Sequence, residues 1–248
     1  MPLLILGSKL SFEALMAARP GFTRVRLAPT AMRRVARGHA AIRAIVGSGR
    51  TVYGVNTGFG RLKNVRIDDT HLRELQVNLL SSHAVGVGEL LAPDTTWRMM
   101  LLRLNSMLAG ASGVSPALVR HLVAFLNAPI IPCVPSKGSV GASGDLAPLA
   151  HMALPLIGEG EVWSASSSIP AKIALKKHGL RPLTLGPKEG LALINGTQMT
   201  TVVLCEALAR LGRLADWADV IGALSLDALL GTDKAFDARI HSARGQRG

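Results

Sequence analysis

The 248-residue sequence is poor in cysteine, aromatic residues and acid, with two Cys, one Tyr and 4% aromatics. Cys133 and Cys205 lie far apart and outside any CxxC, which excludes a disulfide framework and a cysteine metal site. The seven histidines form no HExxH and no HxH, so no metal is expected. Acids are outnumbered, 16 against 28 Lys and Arg, for a net charge of +12, and Glu13 is the one acid before residue 67. Such an imbalance raises nucleic acid, a membrane surface or an acidic protein as a partner. No basic run exceeds two residues and no zinc-finger, RRM or basic-zipper pattern occurs, so a solvated helix face is the better reading and no nucleic acid is expected. Long uninterrupted apolar runs are missing too. Segments 99–108, 122–134 and 200–209 are short or broken by Arg103, Asn105, Asn127, Pro129, Pro132 or Glu206, and no membrane partner is expected. The opening MPLLILG has no basic n-region and does not read as a signal peptide. The expected compartment is the cytoplasm.

What remains is apolar and foldable: 48% hydrophobic residues and a mean hydropathy of +0.32 exclude a disordered chain. Residues 3–6 and 23–27 are short β-like runs around a helical segment that Ser11 can cap. A long helix is expected from Pro29 to about Gly47, and TVYGVNTGFG (51–60) then reads as a glycine-rich loop. Residues 71–84 and 95–108 have helical spacing, and Ser115-Pro116 forms a serine cap with proline at the first helical position. Residues 128–144, with three prolines and then three glycines, read as an apolar loop buried between helices, a kind that is often functional. After a helix through His151 and a turn region at 158–168, a long helical run extends to Leu230.

Common catalytic signatures fail. Ser136-Lys137-Gly138 lacks the upstream glycines of a phosphate loop, and Gly58-Phe59-Gly60 lacks the third glycine of a dinucleotide fingerprint, so no nucleotide is expected. Gly141-Ala142-Ser143-Gly144 is not a hydrolase elbow. Yet Ala142, Ser143 and Gly144 are small enough to fold tightly, bringing the Gly144 nitrogen to the Ala142 carbonyl carbon. Closing that ring and dehydrating Ser143 would turn the chain itself into an electrophile. Asp145 is a good N-cap for the next helix, Pro148 is tolerated in its first turn, and the helix dipole would strengthen the electrophile. Ala111-Ser112-Gly113 is the same tripeptide and reads as a plain helix–helix turn. The signal therefore lies in the frame, Ser139, Gly141, Asp145 and Pro148.

On that frame, residues 138–149 resemble the signature loop of the aromatic amino acid ammonia-lyases. TVYGVNTGFG, LLSSHAVGVG (79–88), KEGLALINGTQ (188–198) and LGTDKAFDARIHSARGQRG (230–248) resemble further family segments in the same order. The resemblance implies a mainly α fold, with a small N-terminal mixed α/β region (1–95) and a helical region (96–248) that starts a long central bundle. It implies a 4-methylidene-imidazol-5-one group formed autocatalytically from Ala142, Ser143 and Gly144, with Asp145 supporting its formation. Tyr53 matches the family's base; free tyrosine has a pKa of about 10, so that role needs a stabilised phenolate. Asn195 matches an asparagine beside the cofactor, although Asn-Gly also favours a turn. Gly60, Ser82 and His83 fall on the substrate side. A histidine in an apolar helical segment is by itself more often structural. The Ser82-His83 pair, however, resembles the histidine-selective members, where the imidazole can hydrogen-bond the substrate ring. The implied reaction is loss of ammonia from L-histidine to give trans-urocanate, in a homotetramer. Phenylalanine or tyrosine lyases and aminomutases share the cofactor and form the alternative. Family members are longer, so the chain is expected to be an amino-terminal portion that is inactive alone, or a fragment that only associates with full-length subunits.

Overall fold

A computed structural model describes residues 1–7, 9–58, 67–68, 71–140, 143–165 and 167–245. Gly60 and Ala142 lie outside the described residues. The chain divides into two compact units, 1–204 and 205–248.

In the first unit, β1 (Leu3–Leu6) and β2 (Arg24–Leu27) pair in parallel, with Leu3 opposite Arg24 and Leu6 opposite Leu27. Between them α1 (Phe12–Ala17) starts at Ser11, whose hydroxyl accepts the Ala14 amide at 3.2 Å. Helix α2 (Pro29–Gly47) has proline in its first turn, where the missing N–H costs nothing. It carries the basic residues on a face that leaves Arg33, Arg37 and Arg43 outside its buried line of Ala31, Val35 and Ile42.

The core forms around α4 (Pro93–Met107), which follows α3 (Leu72–His83) and β3 (Val87–Leu90). Ten of the 15 residues of α4 are buried, so its partners cover it on nearly every side. Leu104 and Met107 share this core with Leu118, Leu122 and Phe125 of α5 (Pro116–Asn127). Ser115 caps α5, accepting the Leu118 amide at 3.1 Å. At the other end of α5, Asn127 accepts from Val25 N at 2.8 Å and donates to Val25 O at 3.0 Å. One side chain thus serves β2 as a substitute strand.

The segment after α5 is buried as expected at Ile130, Ile131, Cys133 and Val134, but it is not only loop. Strand β4 (Pro135–Lys137) pairs antiparallel with β3, Val87 opposite Lys137 and Leu90 opposite Pro135. Every β3 residue is exposed, so backbone bonding and not an alternating apolar pattern makes this ladder, and the sequence carries little sign of it. Next come α6 (Leu146–Ala153) and a 3₁₀ turn, Leu154–Ile157. The supposed turn region at 158–168 is a hairpin of β5 (Glu161–Ser164) and β6 (Ser167–Pro170), with Trp163 and Ile169 supplying its β-forming residues. Helix α7 (Ala171–Lys177) leads to α8 (Glu189–Ile194), which Asn195 ends, and then to α9 (Gln198–Ala228).

In α9 only Met199 and Val202 are buried. Val202 is thus already partnered, while Val203, Leu204, Leu208 and Leu211 are exposed. The second unit exposes Leu214, Trp217, Val220, Ile221 and Leu224, then forms a 3₁₀ turn (Lys234–Phe236) and α10 (Ala238–Arg244). The helical stretch Glu189–Ala228 is long and apolar enough to cross a membrane. Its α8 part is already buried among other helices, and Arg210, Arg213, Asp216 and Asp219 interrupt the remainder.

Candidate active site

Three helices pack against one another pairwise: α3, α6 and α8. Helix α3 ends in Ser82 and His83, α6 follows the 142–144 tripeptide, and α8 ends at Asn195. Their packing gathers separated motifs into one region.

Gly144 is buried, at φ +156°. A Cβ there would stand 2.8 Å from Gly196 O and 3.0 Å from Gly196 N, so only glycine permits this approach of backbone to backbone. Beside it, the Asp145 amide donates to Gly196 O at 2.7 Å. Asp145 is the N-cap residue of α6, yet its side chain caps nothing. Its Oδ1 accepts the Ser139 hydroxyl at 2.6 Å and the Thr200 hydroxyl at 2.7 Å, and its Oδ2 accepts the Thr200 amide at 2.9 Å. The expected cap is instead a clamp joining the approach to the tripeptide, α6 and the first turn of α9. At 1% exposed, a carboxylate needs such donors, since an unsatisfied buried charge is costly. Ser143 is exposed beside this buried pair.

Asn195 is exposed at the end of α8, with its amide bonded to Leu191 O. His83 Nδ1 is 2.9 Å from Leu79 O and 3.1 Å from Ser82 Oγ, and Ser82 Oγ donates to Leu79 O at 3.1 Å. A carbonyl partner puts the proton on Nδ1, which makes Nε2 the lone-pair nitrogen of the neutral ring. Tyr53 is on a turn with its side chain mostly outward, 57% exposed. Asn56 braces that turn, accepting from Val52 N at 2.8 Å and donating to Arg50 O at 2.8 Å.

Several residues outside the expected set hold this region together. His151 of α6 accepts the Gly86 amide at its Nε2, 3.0 Å away, tying the segment after His83 to the helix after the tripeptide. Burial lowers the His151 pKa, which favours this accepting, neutral form. Gln76 of α3 is fully buried and accepts the Gly190 amide of α8 at 2.9 Å. Arg103 of α4 donates through Nη2 to Ala192 O and through Nη1 to Gln198 Oε1, the latter at 2.9 Å. The one signal for Arg103 and Gln76 in the sequence is a polar residue inside an apolar helical stretch. That marks a burial problem without saying which distant group solves it.

A mainly helical fold with this glycine-to-glycine contact, carboxylate clamp and convergence of motifs defines a class. The chain belongs to the aromatic amino acid lyase family, whose model matches residues 10–248. It is similar to histidine ammonia-lyase of Geobacillus thermodenitrificans, with 53% identity over 214 residues, 86% of this chain and 42% of that protein. Among solved structures, histidine ammonia-lyase from Trypanosoma cruzi superposes with TM-score 0.91 at 36% identity, covering 100% of this chain and 48% of the other. Pantoea agglomerans phenylalanine aminomutase superposes with TM-score 0.93 at 32% identity, again covering 100% and 48%. The chain spans less than half the length of these relatives.

Proposed function

We propose that the protein is a carbon–nitrogen lyase that eliminates ammonia from L-histidine to give trans-urocanate, using a group formed from Ala142, Ser143 and Gly144. The observation that carries this reading is the buried contact of Gly144 with Gly196 beside the clamped Asp145. A cradle that a single Cβ would fill suits a tripeptide that must close on itself, and the exposed Ser143 leaves its hydroxyl able to depart. The residues present therefore fit a methylidene-imidazolone, with Asp145 supporting its formation. Such a group supplies an electrophile, which draws electrons from the substrate and lets ammonia leave. Similarity to relatives named histidine ammonia-lyase adds to this reading.

The remaining roles belong to ordinary side chains. His83, its Nδ1–H held by Leu79 O, offers Nε2 to an imidazole N–H of the substrate, which a phenyl ring cannot provide. Ser82 acts through His83, because its hydroxyl is engaged with that ring and Leu79 O. Tyr53 Oη takes the proton from the β-carbon, in the role of a general base. Asn195 lies beside the ring-forming loop through its neighbour Gly196, and its carboxamide contacts the substrate. Gly60 completes the substrate side. Four copies of the chain carrying these residues assemble through the exposed apolar surface of α9, in the cytoplasm. Both cysteines are free, and burial, with the Glu161 charge, pushes the Cys133 thiol up to about 11. That inertness suits a reducing compartment.

Product analysis of the complete gene product with L-histidine tests the reading. Urocanate is expected; a β-amino acid would make the protein an aminomutase, the reading that the aminomutase likeness keeps open. Tyr53→Phe should cut kcat strongly with little change in histidine binding. Residues 1–248 alone should yield no urocanate, and turnover equal to that of the complete protein would overturn this assignment of roles.

A further inference from the structure

We propose that Arg103 is a positioning residue that braces the Asn195–Gly196 turn from behind, holding Gly144 ready for ring closure and presenting Asn195. The inference rests on the function proposed above, and it adds a residue from α4 that lies outside every family segment. Arg103 is 5% exposed. Its guanidinium reaches across the turn, bonding Ala192 O before it and Gln198 Oε1 after it. Gly196, between those two anchors, has no room for a side chain: a Cβ would overlap Arg103 Nη1 and Gln198 Oε1. The amide nitrogen and carbonyl oxygen of the same glycine are what Gly144 packs against, and that carbonyl accepts the Asp145 amide. Gly196 is therefore a one-residue spacer between the guanidinium and the end of the tripeptide. Any shift of Arg103 moves the surface on which Gly144 rests.

The chemistry of the residue supports a role beyond filling space. Both of these partners are neutral oxygens, its Nε is buried without a hydrogen-bond partner among the described residues, and burial lowers its pKa to about 10. It therefore remains a cation at neutral pH. A buried cation held by neutral oxygens costs stability that an apolar side chain of similar volume would not. What arginine supplies is a planar fork able to fix two acceptors at once, and a lysine ammonium lacks that geometry. Ring closure needs such fixing. A bond forms between the Gly144 nitrogen and the Ala142 carbonyl carbon; that carbonyl oxygen leaves as one water with the single Gly144 amide hydrogen and the Ser143 amide hydrogen, and a C=N bond to the Ser143 nitrogen takes its place. The Ser143 hydroxyl and its α-hydrogen leave as a second water, with no oxidant or reductant consumed. The first bond forms between groups two residues apart, so its rate depends on how long the backbone is held in the near-attack shape.

The test compares Arg103→Lys and Arg103→Met with the parent in the complete gene product. Intact mass is followed with time after synthesis, at a temperature where thermal melts show each protein folded. The parent should lose two waters, and the variants should do so at least about tenfold more slowly, lysine less severely than methionine. In molecules that have completed the loss, kcat should fall while KM stays close to the parent value, because Asn195 is displaced during reaction. Parent-like dehydration and kcat in both folded variants would overturn the role of Arg103 and leave the proposed function intact. A purely stabilising arginine would lower the melting temperature without slowing dehydration, which also counts against the inference. Should the methionine variant fail to fold, the lysine variant decides by the same criteria. A folded parent that loses no water would instead sink the functional reading itself, and with it the inference.

Discussion

Ala111-Ser112-Gly113 and Ala142-Ser143-Gly144 have identical sequences, and opposite ends of segment 186–200 reach the chain that closes the first and the chain that closes the second. At the first, Lys188 Nζ donates to Ser112 O at 2.8 Å, and Glu189 accepts the Ser115 amide at 2.7 Å. Gly113 has φ +74°, and a Cβ there would run into the Ile42 side chain. At the second, Gly144 meets backbone, and Thr200 and Ser139 grip the carboxylate of Asp145. The helix after the first tripeptide is capped by Ser115, an ordinary local bond. The helix after the second gives up its side-chain cap so that its aspartate can hold Thr200, 55 positions away. A local device makes a turn. A long-range clamp ties the start of α6 to the first turn of α9.

The sharpest way to break this comparison is to remove one serine at a time. Ser143→Ala in the complete protein should prevent the second dehydration and abolish turnover, while Ser112→Ala should change neither mass nor rate. Equal effects, read by intact mass and urocanate formation, would erase the distinction between the tripeptides. A smaller difference should separate the two helix starts. Asp145→Ala removes a buried carboxylate with three donors and should cost about 3 kcal/mol in urea unfolding. Ser115→Ala removes one cap and should cost about 1 kcal/mol.

Smallest of all is a pH effect shared by both helices. Burial lowers the pKa of His121 in α5, against an opposing hydrogen bond with the Leu156 backbone, and burial lowers that of His151 in α6. The native state then binds fewer protons than the unfolded chain, so stability is full above about pH 6.5 and falls as pH drops toward the lowered values. His151→Gln, which keeps an acceptor for Gly86, should remove part of that acid-side loss, of order 1 kcal/mol or less. It should also leave the proposed preference for histidine unchanged, because the Gly86 clasp survives. A stability profile between about pH 5 and 7 that the substitution leaves unaltered would show that His151 carries no share.

Much of the local structure was legible because its causes are local. Ser11, Ser115, Pro29 and Pro116 start helices where the sequence placed them, and Gly113 closes the turn expected of the first tripeptide. The β3–β4 ladder was not legible, since exposed Val87 and Leu90 show no alternation and the pairing is between backbones. The clamp was half legible. Asp145 announces itself as a helix-start residue, and nothing near it indicates that Thr200 will claim both of its oxygens. Arg103 interrupts an apolar stretch in plain view, where it reads as a polar break against membrane insertion. Its acceptors, Ala192 O and Gln198, lie 89 and 95 residues away.

The sequence by itself determined the helices, the turns, the small-residue frame around Ser143 and the family to which the chain belongs, because capping, proline geometry and glycine freedom act over a few residues. Only the tertiary structure decided that Gly144, and not Gly113, is pressed against Gly196, and which buried polar groups brace it. Satisfying a buried charge depends on the oxygen or amide that folding brings within 3 Å or so, and no rule of spacing along the chain specifies that partner.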